Sequence, residues 1–426
     1  MTKSTSRVLV EKDLMPSKAN DKKNTLLLGR ADWHLLANAL VIIYFIAALI
    51  SGVVQKSGEG GEPVWLTVHL FLLGAVTNAI VTWSDHFVSA LLWARSQDRK
   101  RQMIIVSILN IGIVGILFSV SHDIQWMVFA SASLIICVIG FYLRGIGSLV
   151  KKSLNKRFKG VIAFYQFAAL FVIVGIVLGA LDAPKSDSDL WQPRVTLAHL
   201  HANLLGWVGL TIIGTLVTLW PTVLRTQMDP EAIRKAQFGL KFLAVGTLGV
   251  IIGALISQSW LATLSIGFYL LGLVITLAPA ALLLRRRVPD RSSAWMMLTG
   301  ALGLVALLIA DGVTFLILHS PEKILSAIET HLILVFTLWL LPILLGALTH
   351  LLPVVLGRGP ASNRQLEATL NLGWKWRLSL LPLSSLLQIL PNKFHILGFI
   401  VAALALGTFL VLAVIAMRQS RQLITS

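Results

Sequence analysis

One cysteine stands among 426 residues, Cys137, and it lies inside an apolar run. A single thiol excludes a disulfide framework and a thiolate metal cluster, so any metal must be held through nitrogen or oxygen, or arrive inside a cofactor. Charge is scarce as well. Asp, Glu, Lys and Arg make up 13% of the chain against 56% apolar residues, and the mean hydropathy is +0.81. Such a chain cannot hide its apolar surface inside a water-soluble globule. It contains no Walker-type phosphate loop, no His-Glu-x-x-His string, no Gly-x-Ser-x-Gly elbow and no Rossmann fingerprint. Residues 1–30 hold seven Lys and Arg but neither a long apolar stretch nor a small-residue cleavage site, which predicts a basic cytoplasmic tail rather than a signal peptide.

What the chain has in quantity is long apolar runs. Segments able to cross about 30 Å of hydrocarbon as helix fall near 33–54, 64–93, 103–120, 124–147, 160–181, 195–224, 238–257, 260–284, 294–318, 325–356, 374–390 and 394–417. This predicts an all-α polytopic membrane protein of about twelve helices in a single domain over 31–420. If the N-terminus is cytoplasmic, only Lys56, Lys185, Arg194, Lys323 and Lys393 of the 36 basic residues fall outside, which places both termini, including 421–426, on the inner side. The net charge of +17 then reads as topology and attraction to anionic inner-leaflet lipid of the plasma (inner) membrane, not as nucleic-acid binding.

The runs repeat. "VHLFLLGAVTNAI", "AHLHANLLGWVGLTIIGT" and "THLILVFTLWLLPILLGA" each open an outer-to-inner run with His-Leu, at His69, His199 and His331. Arg95, Arg225 and Arg358 close the same segments, and Gly214 with Pro221 matches Gly346 with Pro353. Three four-helix units follow, approximately 31–158, 159–290 and 291–420, with a histidine near the outer end of the second helix of each. An imidazole roughly 8 Å below the hydrocarbon edge needs a hydrogen-bond partner or a metal, and neutral imidazole is a good ligand for iron, copper or zinc. Packing histidines are the alternative. His201 follows two positions after His199, so on a straight helix the two point about 200° apart and serve different surroundings.

Three helix quartets with histidines on the second, sixth and tenth helices resemble subunit I of the heme-copper oxidase superfamily. The resemblance implies a low-spin heme, of b type, between His69 and His331, with His199 and His201 available to a second heme or a copper ion. The string "HLHANLLGWVGLTIIGTLVTLWPTVLRT" is similar to the membrane regions that actinobacterial copper oxidases and nitrite reductases carry, and more loosely to NnrS-type proteins linked to nitric oxide. There are departures. The seventh run, "QFGLKFLAVGTLGVIIGALIS", has no histidine, and "HANLLGW" lacks the tyrosine that oxidases use, which argues against a proton-pumping oxygen reductase.

Other polar residues add to the candidate site. Asp311, inside the ninth run, is a proton acceptor or a carboxylate that orients a histidine, unless it is a neutral packing residue. Glu329 stands two before His331. Arg194 could pair with a heme propionate or simply anchor at the interface. The resulting expectation is a heme-binding membrane redox protein working in electron transfer or nitric-oxide and copper-linked chemistry at the outer face, with a quinol or an external copper or redox protein as partner. It could act alone or within a homo- or hetero-oligomer, and whether it turns over a substrate is open. The alternative is a permease for copper or another cation that uses the same histidines.

Overall fold

Inside lipid no water is available to satisfy backbone N–H and C=O groups, so apolar runs without sheet partners must become helices. The computed structural model describes residues 30–56, 64–94, 99–153, 155, 157–183, 191–357, 359–391 and 394–425. The tail 1–29 and the repeated arginines Arg95 and Arg358 lie outside the described residues, and so does the side chain of His331. The described elements are helical throughout.

The helices are α1 (Arg30–Lys56), α2 (Val64–Leu91), α3 (Arg99–Ser121), α4 (Gln125–Lys152), α5 (Lys159–Asp182), α6 (Trp191–Val223), α7 (Ala232–Leu255), α8 (Ser259–Leu283), α9 (Ser292–Ile317), α10 (residues 321–356), α11 (Pro360–Asn371), α12 (Trp374–Ile389) and α13 (His395–Thr425). Among the described residues ten helices are long and apolar enough to cross a membrane. The runs 33–54 and 374–390 fall short of that measure: α1 carries a shorter apolar stretch, Leu36–Gly52, and α12 has 16 residues. Residues 421–425, expected as a separate C-terminal segment, continue α13.

The three helices that carry the repeated His-Leu share a feature that periodicity does not reveal. Each widens into a π-helical turn just beyond the histidine, at Leu70–Val76 in α2, Ala202–Gly209 in α6 and Val335–Leu340 in α10. A π-turn leaves the usual i→i−4 ladder, and such turns cluster at functional positions. Side-chain hydroxyls take up carbonyls there: Thr77 donates to Leu72 O (3.0 Å), Tyr269 of α8 to Leu205 O (3.0 Å) and Thr337 to Ile333 O (3.0 Å).

The π-turns meet one another near the centre of the bundle. Trp207 Nε1 donates to Thr77 Oγ1 at 3.2 Å, joining α6 to α2, and Phe71 packs edge-on against Phe336 at 4.6 Å, joining α2 to α10. The apolar window of α6 is 78% buried and that of α9 28%, so the histidine-bearing α6 is internal while α9 faces outward. The repeat also appears in the packing. A Cβ on Gly214 would strike Phe164 of the preceding helix, and one on Gly346 would strike Met297 and the Ser293 carbonyl of the preceding helix. Missing side chains thus allow close helix approach at matching places.

α11 was not expected, since its 12 residues, PASNRQLEATLN, are mostly polar. It buries only Leu366 and Leu370. Arg291 donates to Glu367 at 2.7 Å, and the buried Arg377 guanidinium donates to the Leu370 and Leu372 carbonyls at the end of α11. Its lost carbonyl partners are therefore replaced by a charged side chain.

Candidate functional site

At the end of the bundle where α2 and α6 begin, His69 and His199 face each other. Their ring centres are 6.1 Å apart and their planes lie within 20° of parallel. His69 Nδ1 is 2.8 Å from Trp65 O, one turn back on the same helix, and the Trp65 indole stacks on the imidazole at 4.3 Å. His199 Nδ1 is 2.7 Å from Gly175 O on α5.

These bonds define the tautomers. A carbonyl oxygen only accepts, so each Nδ1 carries the hydrogen, and each Nε2 keeps its lone pair. Backbone carbonyls on Nδ1 leave both rings in the tautomer that could ligate a metal through Nε2. The His199 position depends on absent side chains in α5. A Cβ on Gly179 would lie 2.6 Å from His199 Cε1, and one on Gly175 would lie 2.5 Å from the amide of Asn203. Gly175, Gly179, His199 and Asn203 form two pairs four residues apart, interlocking along one helix face. Asn203 also donates to His199 O at 2.8 Å.

His201 faces away from this pair. It is 2% exposed, with Nδ1 2.7 Å from Leu197 O and Nε2 3.1 Å from Asp311 Oδ2, and Phe315 packs edge-on against its ring. Because Nδ1 must donate to a carbonyl, the Nε2–Oδ2 bond needs its own hydrogen: the pair shares one proton beyond those of neutral imidazole and carboxylate. Both ring nitrogens are thereby engaged, and in this arrangement His201 has no lone pair for a second heme or copper. Asp311 serves His201, not the facing pair.

The remaining sequence candidates are near the same end. His331 is on α10, with its side chain outside the described residues. Glu329 is exposed. Arg194 opens α6 within electrostatic reach of Glu322, and its Nε is buried without a hydrogen-bond partner. Sequence reasoning missed Trp65, Asn203, Gly175 and Gly179. The i, i+4 spacing of Trp65 to His69 and of His199 to Asn203 was the available signal.

Two imidazoles bound on opposite sides of one metal, with bonds of about 2.0–2.1 Å and roughly 1.1 Å from nitrogen to ring centre, have centres about 6.2–6.4 Å apart. The observed 6.1 Å agrees with a bis-imidazole donor set. Among the described residues no group of three or more His, Cys, Asp or Glu gathers for a metal held by protein ligands alone. A cavity of about 150 Å³ opens between Ser119, Asp123, Gln125, Val128 and Ala183.

No family model matches the chain, and no curated protein is significantly similar to it in sequence.

Proposed function

We propose that the chain is an integral-membrane redox protein that holds a heme through imidazoles at the outer end of the bundle, with twelve crossing helices in three heme-copper-oxidase-like units and both termini on the cytoplasmic side of the plasma membrane. The observation that carries the reading is the His69–His199 pair, with a carbonyl on each Nδ1, a lone pair on each Nε2 and ring centres 6.1 Å apart. Two protein ligands suffice where a porphyrin supplies four further nitrogens. With one cysteine in the chain, a two-thioether attachment is impossible, which supports a non-covalent, b-type heme.

His69 and His199 would be the axial pair, with His331 as the other candidate ligand to pair with His69. A heme bound there supplies reversible one-electron chemistry at iron. The chain's residues set its surroundings. The Trp65 and Gly175 carbonyls fix ring orientation and raise ligand basicity. Arg194, with an unpaired Nε, is suited to a propionate.

Absorption spectra of the purified protein, oxidised and then dithionite-reduced, test the proposal. Sharp low-spin bands that collapse in His69→Ala and His199→Ala are expected, and loss in His331→Ala with retention in His199→Ala would assign the second ligand to α10. A colourless protein that binds copper through the same histidines would overturn the heme reading in favour of a cation permease.

A further inference from the structure

At the end of α6 opposite His199, about 39 Å along the helix axis, the chain turns through Arg225 in a left-handed conformation (φ 53°). Arg287, in the turn between α8 and α9, reaches the Arg225 carbonyl at 3.5 Å. The Arg225 guanidinium lies within electrostatic reach of His350 on α10, Asp290 in the same α8–α9 turn and Glu367 on α11. Four segments far apart in sequence thus converge on one residue.

The charges there do not balance. Arg225, Arg285, Arg286, Arg287 and Arg291 face two carboxylates, and both carboxylates are taken: Asp290 by Arg287 at 2.8 Å and Glu367 by Arg291 at 2.7 Å. The acids that follow Arg225 in the chain are engaged as well, since Asp229 Oδ1 accepts the Glu231 N–H and Glu231 pairs with Arg234. Arg225, Arg285 and Arg286 are exposed and make no ion pair among the described residues. Topology asks for bases on the cytoplasmic side, but not that separate segments bring them together with every nearby acid already used.

Position selects the anion. The apolar spans of α6 and α8 end at Val223 and Leu283, and that of α9 begins at Ser292, so all five arginines stand within four residues of the hydrocarbon, at headgroup depth. Exposed apolar side chains are interleaved with them: Leu282 is 44%, Val288 69% and Trp295 37% exposed. A soluble anion gains nothing from that apolar rim. A phospholipid meets both features, with a phosphate for the guanidiniums and acyl chains for the rim.

We infer that this cluster is a specific site for the phosphate headgroup of an anionic phospholipid of the inner leaflet, with Arg225, Arg285 and Arg286 supplying the free guanidiniums. The site is independent of whatever the imidazole pair holds.

The full-length protein, delipidated in detergent and titrated with phosphatidylglycerol or phosphatidylcholine, tests this by native mass spectrometry and by unfolding midpoint. The wild type should bind one phosphatidylglycerol in preference to phosphatidylcholine, and phosphatidylglycerol should raise its midpoint. Arg225→Gln should weaken phosphatidylglycerol binding about fivefold, and the double variant Arg285→Gln/Arg286→Gln about 25-fold. Arg157→Gln, which removes an exposed arginine just before α5, should leave the affinity unchanged. Should Arg225→Gln itself unfold early without lipid, the double variant decides, because both of its side chains are exposed. Equal binding of the two lipids by the wild type, or equal weakening in Arg157→Gln, would overturn the inference by reducing it to diffuse surface charge. Stabilisation by inorganic phosphate as large as that by phosphatidylglycerol would overturn it in favour of a soluble anion.

Discussion

Gly179→Ala adds one methyl group to α5, and the structure gives its consequence in ångströms. The new Cβ would stand 2.6 Å from His199 Cε1 and 2.7 Å from Nδ1, where ordinary contact begins at 3.4 Å. The ring must retreat by about 0.8 Å, which stretches the 2.7 Å bond from Nδ1 to Gly175 O beyond hydrogen-bonding distance. Overpacking costs about 1–3 kcal/mol and a buried donor left without its acceptor about 1–3 kcal/mol more, for a loss of about 2–6 kcal/mol. Gly267→Ala on α8 is the matched control: nothing lies within 4 Å of its added Cβ, so it should be neutral or stabilise by up to about 1 kcal/mol. Unfolding midpoints of the two variants in detergent, with absorption spectra of any bound centre, make the comparison. If Gly179→Ala unfolds no earlier than Gly267→Ala and its spectrum is unchanged, the interlocking of α5 with His199 is refuted.

Three further outcomes are expected. Trp207→Phe and Thr77→Val should each cost about 1 kcal/mol, and the double variant less than their sum, because both remove the same Trp207–Thr77 bond between α6 and α2; a double-mutant cycle from unfolding midpoints measures the coupling. Asp311→Asn should be milder than Asp311→Leu by about 1–3 kcal/mol, since an amide N–H still donates to His201 Nε2 and a methyl group does not; equal unfolding midpoints would show that the bond is not made. Arg291→Met should loosen α11 without unfolding the bundle, read as faster proteolysis within Pro360–Asn371, and Arg377→Met should do the same more severely because its guanidinium is buried on the carbonyls that end that helix.

Several parts of the molecule are visible in its composition and spacing. Helices form because apolar runs in lipid have no other way to satisfy their backbone, so their positions follow from hydropathy alone. The recurrence of His-Leu helices is announced by His69, His199, His331 and the matching Gly214 and Gly346. α11 escaped because only two of its residues are buried; what holds it is Arg291 and Arg377, distant in sequence. The proton shared by His201 and Asp311 joins residues 110 positions apart, and nothing local to either announces the partner.

Sequence alone thus pointed to a membrane medium, the helical class and the recurring His-Leu segments, because burial cost acts on each segment separately. Tertiary structure decided which imidazoles meet. Three π-turns bring α2, α6 and α10 together, the missing side chain of Gly179 on α5 makes room for His199 and that of Gly175 for Asn203, and the carbonyls of Trp65 and Gly175 choose which ring nitrogens stay free. Those are consequences of how neighbouring helices pack, and no single helix carries the information by itself.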